Sequence, residues 1–148
     1  MSEVVKVLPT VDEFSDAIRD ALASGELAPV ETPLQHYHTP ELYGRRIVVP
    51  ALSVFTTKVH KTDHISIALR GHITIMDGKG NKVIEVKAPD VFVTPAGTQR
   101  TVYVHQEVEF MTVHPCKEQD LEVIEKALTC DTMAEYNMLQ IEAQQCPL

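Results

Sequence analysis

The chain has 148 residues, of which 44% are hydrophobic and 23% are charged. This length and composition are typical of one globular domain and argue against a disordered chain. Thirteen Lys and Arg against 21 Asp and Glu give a formal net charge of −8, which argues against nucleic-acid binding because a negative protein repels a phosphate backbone. No stretch approaches the roughly 20 apolar residues of a membrane span. The first residues also lack a signal-peptide pattern, and the three cysteines have no CxxC spacing, so we expect a cytoplasmic protein without membrane contact.

The first predicted element is an amphipathic helix between Thr10 and Gly25. Thr10 and Glu13 have the spacing of a capping box, and Gly25 is a typical residue at a helix C-terminus. The hydrophobic residues between them recur at helical spacing. They are Val11, Phe14, Ile18, Ala21 and Leu22.

An extended arm is predicted after this helix, because the segment ELAPVETPLQHYHTPELYG has three prolines and no steady period. It carries a His-x-His pair, His36 and His38. With no third partner nearby, this pair is predicted to lie in a surface loop. Residues 1–45 are therefore predicted to form an N-terminal helix and arm.

From Arg46 to about Cys116 the sequence consists of short β-rich runs separated by turn residues. The stretch DGKGN, between Met76 and Lys82, is typical of a tight hairpin. Six or seven such runs at regular spacing predict an antiparallel barrel or sandwich over residues 46–115.

A second helix is predicted in KEQDLEVIEKAL, where Leu121, Ile124 and Leu128 form one apolar stripe. The following ALTCDTMAEYN is predicted to be helix end and tail, which makes 116–148 a C-terminal helix and tail. The predicted fold class is thus mainly β, one barrel with a helix at each end of the chain.

The stretch TTKVHKTDHISIALRG suggests a pocket. Lys58 and His60 lie two apart and share a face if the strand is regular, and His64 begins the next strand. Ser66 and Ala68 share the face of His64 and are small, which leaves space where a barrel normally packs bulky side chains.

Two half-motifs in this region resemble those of the cupin superfamily, the RmlC-like jelly rolls. Lys58-x-His60-x3-His64-x6-Gly71 is similar to the first cupin motif, His-x-His, three or four residues, Glu, six residues and Gly. Pro95-Ala-Gly97-x2-Arg100 is similar to the second motif, in which a His completes a metal site. The resemblance covers about residues 44–115 and implies a single-domain cupin jelly-roll barrel, with a metal site as an open question.

A metal hypothesis follows from the histidines. Lys58 and Arg100 replace two ligands of the usual cupin set and offer no lone pair, and a histidine holds the carboxylate position. His60 and His64 would then bind one divalent ion, Zn, Fe, Mn or Ni, with His114 or His105 as a third ligand. Strict alternation from Arg100 places His105 on the opposite face.

The alternative is an anion pocket without metal, in which Lys58 and Arg100 bind a phosphate or carboxylate. The predicted ligand-binding residues are Lys58, Ser66, Arg100, Tyr103 and His105. In a third arrangement, which binds nothing, Lys58 reaches the rim and Arg100 pairs with a local carboxylate.

Longer stretches, from TTKVHKTDHIS through PAGTQRTVYVHQ to TVHPCKEQDLEVIEKAL, resemble small single-cupin proteins encoded by tailed bacteriophages. This resemblance implies a viral protein in the host cytoplasm. Three functions stay open: a pocket for a small polar or anionic ligand, a metal-dependent isomerase, lyase or dioxygenase, and a non-catalytic scaffold. The apolar stripe Ile65, Ile67 and Leu69 needs a cover, either the N-terminal helix or a second copy of the chain, and the resemblance favours a homodimer.

Overall fold

A computed structural model describes residues 10–77 and 82–145. The strands of the described chain are β1 (Leu34–His38), β2 (Leu42–Val49), β3 (Val54–Thr56), β4 (Val59–His60), β5 (His64–Asp77), β6 (Lys82–Lys87), β7 (Asp90–Thr94), β8 (Arg100–Pro115) and β9 (Thr129–Cys130). The helices are α1 (Val11–Ser24), α2 (Leu121–Leu128) and α3 (Met133–Gln145). The prediction of a mainly β protein is confirmed.

The two longest strands, β5 and β8, pair antiparallel along their length and hold a seven-stranded sheet together. The start of β5 and the end of β8 lie in a first half-sheet of order β1-β2-β8-β5-β7. Their other ends lie in a second half-sheet of order β3-β8-β5-β6. Among the described residues these pairings do not close into a barrel, because β1, β3, β6 and β7 each pair on one side only. The closed barrel that we predicted is therefore not formed by the strand pairing.

A bend in β5 separates the two half-sheets. The register between β5 and β8 shifts between Ala68 and Ile73. Gly71 lies in this bend with φ 100°, and a Cβ there would come within 2.3 Å of the Glu107 carbonyl oxygen. Only glycine fits both the backbone angle and the close approach of β8.

One hydrophobic core fills the space between the half-sheets at the bend. Its buried residues come from both sides: Val49, Ala68, Ile73, Ile75, Val86, Val102, Val104 and Val108. Partly buried aromatic side chains, Phe55, Phe92 and Phe110, pack against it. The two half-sheets thus form two layers of a single domain.

The helix predicted between Thr10 and Gly25 is present as α1. Thr10 Oγ1 accepts a hydrogen bond of 3.1 Å from the Glu13 backbone N–H, and Gly25 ends the helix in the left-handed conformation. The helix packs against β3 and β8, where Ser15 and Thr56 share a hydrogen bond. Ile65 and Leu69 are 45% and 46% exposed, so the helix does not cover the apolar stripe to which they belong.

Two predicted boundaries differ from the structure. The predicted arm contains β1 and the start of β2, so the boundary between residues 45 and 46 falls inside a sheet strand. Prolines near both ends of β1 made this segment look like a loop in the sequence, so its strand was not predicted. The predicted tail contains β9 and α3, which gives the chain a third helix. Residues 78–81 of the predicted hairpin lie outside the described residues, although Asp77 pairs with Lys82.

None of the described helices is long and apolar enough to cross a membrane.

Candidate functional site: a histidine-lined cavity

A cavity of about 580 Å³ lies between the half-sheets, beside the hydrophobic core. Its inner end is apolar, with Ile73, Ile75 and Val102 in the wall, whereas its other end is lined by histidines. Helix α2 closes the histidine end, because its buried residues Ile124 and Leu128 pack on Tyr43. The helix is capped by Asp120, whose Oδ1 accepts from the backbone N–H groups of the first turn.

The first half-sheet places a row of polar rings on its inner face. His64 pairs with Thr94 of β7, and Tyr43 of β2 pairs with His114 of β8. The register of β5 and β8 places Ile65 opposite Val113, and its next step brings His64 beside His114. Residues opposite each other on adjacent strands point to the same face. The two imidazoles therefore meet inside the cavity.

His60 reaches the same place from a different element. It lies in β4, which pairs with β9, the strand that follows α2. Its backbone N–H donates to the Thr98 carbonyl at 3.2 Å, and its own carbonyl accepts from Gly97 N–H at 2.8 Å. The second cupin-like half-motif, at Gly97 and Thr98, thus holds the backbone of His60, which belongs to the first half-motif.

The three imidazoles of His60, His64 and His114 form a cluster, which we call the histidine triad. The ring centroids of His60 and His64 are 4.4 Å apart, those of His64 and His114 are 4.5 Å apart, and those of His60 and His114 are 5.9 Å apart. His64 and His114 are each 4% exposed. The structure therefore brings together the three residues that the sequence suggested as metal ligands.

The triad is neutral at pH 7. Burial, and after it the positive charge that neighbouring groups such as His64 and Arg45 can carry, lowers the pKa of His60 to about 3 and that of His114 to about 4. The pKa of His64 is also lowered by burial, although its hydrogen bond to the Thr62 carbonyl works in the opposite direction. A neutral imidazole carries a lone pair on one nitrogen, which is the form that binds metal.

Hydrogen bonds occupy one nitrogen on two of these rings. His64 Nδ1 lies 3.3 Å from the Thr62 carbonyl oxygen, and His114 Nε2 lies 2.8 Å from Thr112 Oγ1. The other nitrogen of His114, Nδ1, is buried and has no partner in the described part of the chain. A buried polar atom without a partner is costly, so it is a natural place for a ligand atom or ion.

The residues present fit a three-histidine metal site better than a four-ligand cupin site. A four-ligand cupin site also needs a carboxylate. Among the described residues that line the cavity, Glu125 is the acidic one, and its carboxylate is paired with Lys58. The ring nitrogens of the triad do not all lie within 4.8 Å of one another, so their side chains must turn towards a bound ion. Three protein ligands with further positions open is the arrangement of catalytic zinc sites.

Two of the five predicted ligand-binding residues line the cavity centrally. Ser66 is buried on the inner face and shares a hydrogen bond of 2.7 Å with Thr94. Arg100 donates to Thr94 Oγ1 at 3.2 Å, and its Nε lies 3.5 Å from Asp77 Oδ2. Arg100 is thus next to a carboxylate, as one of our alternatives expected.

The other three do not occupy the centre of the cavity. Lys58 lies at the rim, where its Nζ contacts Glu125 and lies 3.4 Å from Asp131. This placement corresponds to the third arrangement, in which each of the two cations lies beside a carboxylate. Tyr103 and His105 lie on the outer face of β8, with ring centroids 4.8 Å apart. Their placement follows from the alternation along β8, which turns Val102 and Val104 inwards.

Sequence reasoning missed the contribution of β1 and β2. Tyr43, Arg45 and His36 line the cavity, and the Tyr43 hydroxyl is 2.6 Å from His36 Nδ1. The side chain of Arg45 has no hydrogen-bond or ion-pair partner among the described residues, although its backbone lies in the sheet. The alternation of Tyr43, Arg45, Ile47 and Val49 was the signal that could have revealed this strand.

No protein-family model matches the sequence, and no curated protein matches it. Solved structures do resemble it. A cupin superfamily protein from Desulfitobacterium hafniense is 10% identical, with a TM-score of 0.50 over 60% of this chain and 81% of that one. A polyketide cyclase from Streptomyces resistomycificus is 17% identical, with a TM-score of 0.52 over 58% of this chain and 66% of that one. At these identities the likeness shows the fold alone, which is that of the cupin proteins.

Proposed function

We propose that this chain of cupin fold is a small-molecule-binding protein whose cavity holds one divalent ion, Zn, Fe, Mn or Ni, at the histidine triad and a small polar or anionic ligand above it. The convergence of three neutral imidazoles in one cavity carries this proposal. At pH 7 no proton has to leave these rings before a metal binds, since their pKa values lie below neutrality.

Arg45 is the residue that would attract an anionic ligand. Lys58 and Arg100 each have a carboxylate close by, which offsets their charge. Arg45 has no such partner among the described residues, and it lies beside Thr112 and Ser66 on the inner face. A guanidinium group offers two parallel donors to a carboxylate or phosphate.

A metal-dependent isomerase, lyase or dioxygenase is the alternative function. Three protein ligands leave positions at which a substrate could approach the ion, and a bound divalent ion supplies Lewis-acid chemistry. The hydrogen-bonded pair of His36 and Tyr43 is a group that could hold or move a proton at the cavity wall. A non-catalytic scaffold is the third function that the sequence left open, and the histidine-lined end of the cavity favours the first two over it. A bacteriophage origin remains a prediction from the sequence resemblance.

The test is metal analysis of the purified protein, with the His60→Ala/His64→Ala double variant and His38→Ala as the matched imidazole control. We expect the wild type and His38→Ala to bind one equivalent of metal that the double variant does not bind. Circular dichroism shows whether each protein is folded. A folded double variant with the metal content of the wild type would contradict the metal site.

The ligand is tested with the same metal-loaded protein by calorimetric titration with inorganic phosphate. Arg45→Met should weaken phosphate binding by about tenfold, the loss typical of a charge-assisted hydrogen bond. Lys58→Met is the control and should bind as the wild type does. Equal phosphate affinity in all three proteins would rule out Arg45 as the anion-binding residue.

A further inference from the structure

A second cluster of ligating side chains lies on the opposite side of the protein from the cavity. His72 of β5, Glu85 of β6 and His105 of β8 meet on the outer face of the second half-sheet. Each is the neighbour of a core residue, Ile73, Val86 or Val104, that points inwards. Because side chains alternate along a strand, all three point outwards.

The geometry of this cluster suits one ion. One ligand atom from each of the three residues can be chosen so that all lie within 4.8 Å of one another. In the described part of the chain no other group of three His, Cys, Asp or Glu residues meets this spacing. The rings of His72 and His105 are stacked, with centroids 4.4 Å apart.

The distance between His72 and Glu85 is compatible with an ion bound between them. His72 Nε2 lies 3.7 Å from Glu85 Oε1, which is too far for a hydrogen bond. Two donors bound to a tetrahedral ion at about 2.1 Å are roughly 3.4 Å apart. The observed separation is close to that spacing.

His72 Nε2 has a further property of a ligand atom. It is buried from solvent and has no hydrogen-bond partner in the described chain. A bound ion would give this nitrogen a partner. Without one, the nitrogen has lost its hydrogen bond to water and has no hydrogen bond in the protein to replace it.

Thr74 supports the third ligand. Its Oγ1 lies 2.6 Å from His105 Nε2. A partner on one ring nitrogen holds the imidazole and sets which nitrogen carries the proton, as is usual for histidines that bind metal.

We propose that His72, Glu85 and His105 form a second metal site, for Zn²⁺ or a similar divalent first-row ion, on the outer face of the second half-sheet. Two imidazoles and one carboxylate are a common ligand set for zinc and for non-haem iron. Glu85 and His105 are exposed, so water or an anionic group could complete the coordination from their side. This proposal does not depend on the histidine triad, because the two clusters share no residue.

The test follows the histidine ring signals of the wild-type protein by NMR during titration with Zn²⁺ alone. His72→Gln and His105→Gln assign their own signals. We expect the signals of His72 and His105 to shift together before one equivalent of Zn²⁺ per site has been added. If only the signals of the histidine triad respond, the outer site is overturned and the cavity site stands. If only the signals of His72 and His105 respond, the outer site stands and the cavity site is overturned.

Calorimetry with Zn²⁺ gives a second measurement in the His60→Ala/His64→Ala background, which isolates the outer cluster. Adding Glu85→Gln should weaken the remaining Zn²⁺ binding by about tenfold or more. Glu122→Gln changes an exposed carboxylate of α2 in the same way and should leave it unaffected. Equal loss in both variants would mean that Zn²⁺ binds non-specifically to surface charge, which overturns the proposal. If the background protein does not fold, both glutamate variants are compared in the wild type.

Discussion

His60 and His114 are neutral at pH 7 because the buried cavity cannot replace the hydration that a charged imidazole has in water. Both rings lose hydration in the cavity, and each lies near other groups that can be positive. In the unfolded chain a histidine titrates near pH 6.5. The two residues therefore link the stability of the fold to pH.

We expect the free energy of unfolding of metal-free protein to fall as the pH is lowered from about 6.5 towards 4. In this range the unfolded chain binds protons at residues 60 and 114, whereas the folded chain does not, because its pKa values there are about 3 and about 4. Each such proton changes the stability by about 1.4 kcal/mol per pH unit. Urea denaturation in chelator at several pH values measures this slope.

His114→Gln should give a shallower slope, because glutamine has no proton to gain. His38→Gln removes an exposed imidazole and serves as the control, with the slope of the wild type. Identical slopes in all three proteins would show that the triad does not account for the acid sensitivity.

Single residues also show where sequence reasoning succeeded. His60 and His64 were found from a motif, whereas the facing of His114 was left open. Counting every second residue from Arg100 does lead to the buried Val108 and His114, although the exposed run from His105 to Glu107 interrupts the alternation. The partners of Lys58 could not be found, because Glu125 and Asp131 come from elements whose position depends on the packing of α2.

Among the secondary-structure elements, the bend in β5 has the largest effect on the architecture. It lets one strand serve both half-sheets, and it changes which residues face inwards: His64, Ser66 and Ala68 before the bend, Ile73 and Ile75 after it. An alternation carried through the bend from His64 assigns the second part of the strand to the wrong face.

Gly71→Ala should destabilise the protein by about 3 kcal/mol, which is the upper range for a strained backbone position. The added Cβ would stand 2.3 Å from the Glu107 carbonyl oxygen and 2.7 Å from Val108 Cα. Chemical denaturation of both proteins gives the difference in the free energy of unfolding.

Gly25→Ala is a matched control for this change. Gly25 has a similar φ of 83°, but nothing lies within 4 Å of the added Cβ. We expect a cost of about 1 kcal/mol from the backbone angle alone. Equal costs at the two positions would show that the approach of β8 to the bend contributes nothing.

Over the whole molecule, the outer face of the first half-sheet is unusually apolar. Val91 and Val93 of β7 are 65% and 66% exposed, and they lie beside Ile65 and Ile67 of β5. The sequence suggested two covers for this apolar face, the N-terminal helix and a second copy of the chain. Because α1 packs against β3 and β8 instead, we favour the second copy. Apolar patches of this kind mark interfaces.

We therefore expect a homodimer in which the outer faces of two first half-sheets pack together. Val93→Lys should give a folded monomer, because the lysine would bring an unpaired charge into that interface. Sedimentation velocity or light scattering measures the mass. Val83→Lys is the control, since Val83 is 55% exposed on β6 in the other half-sheet and should leave the dimer intact. A monomeric wild type would contradict the expected homodimer.

The fold as a whole was predictable to the level of a mainly β protein with a cupin-like fold, since turn residues and half-motifs are local signals. The entry of β1 and β2 into the sheet was not, because it depends on pairing with β8, far away in the chain. The same long-range pairing formed the wall of Tyr43 and Arg45 that sequence reasoning missed.

The central place of β8 has a consequence for how the chain folds. β2, β3 and β5 all pair with this strand, which is made after each of them. Contacts between distant residues close long loops before they gain any stabilisation, which makes folding slow. During synthesis, β2 and β5 must therefore wait with apolar faces uncovered until β8 has left the ribosome, and in that interval the growing chain is most at risk of aggregation.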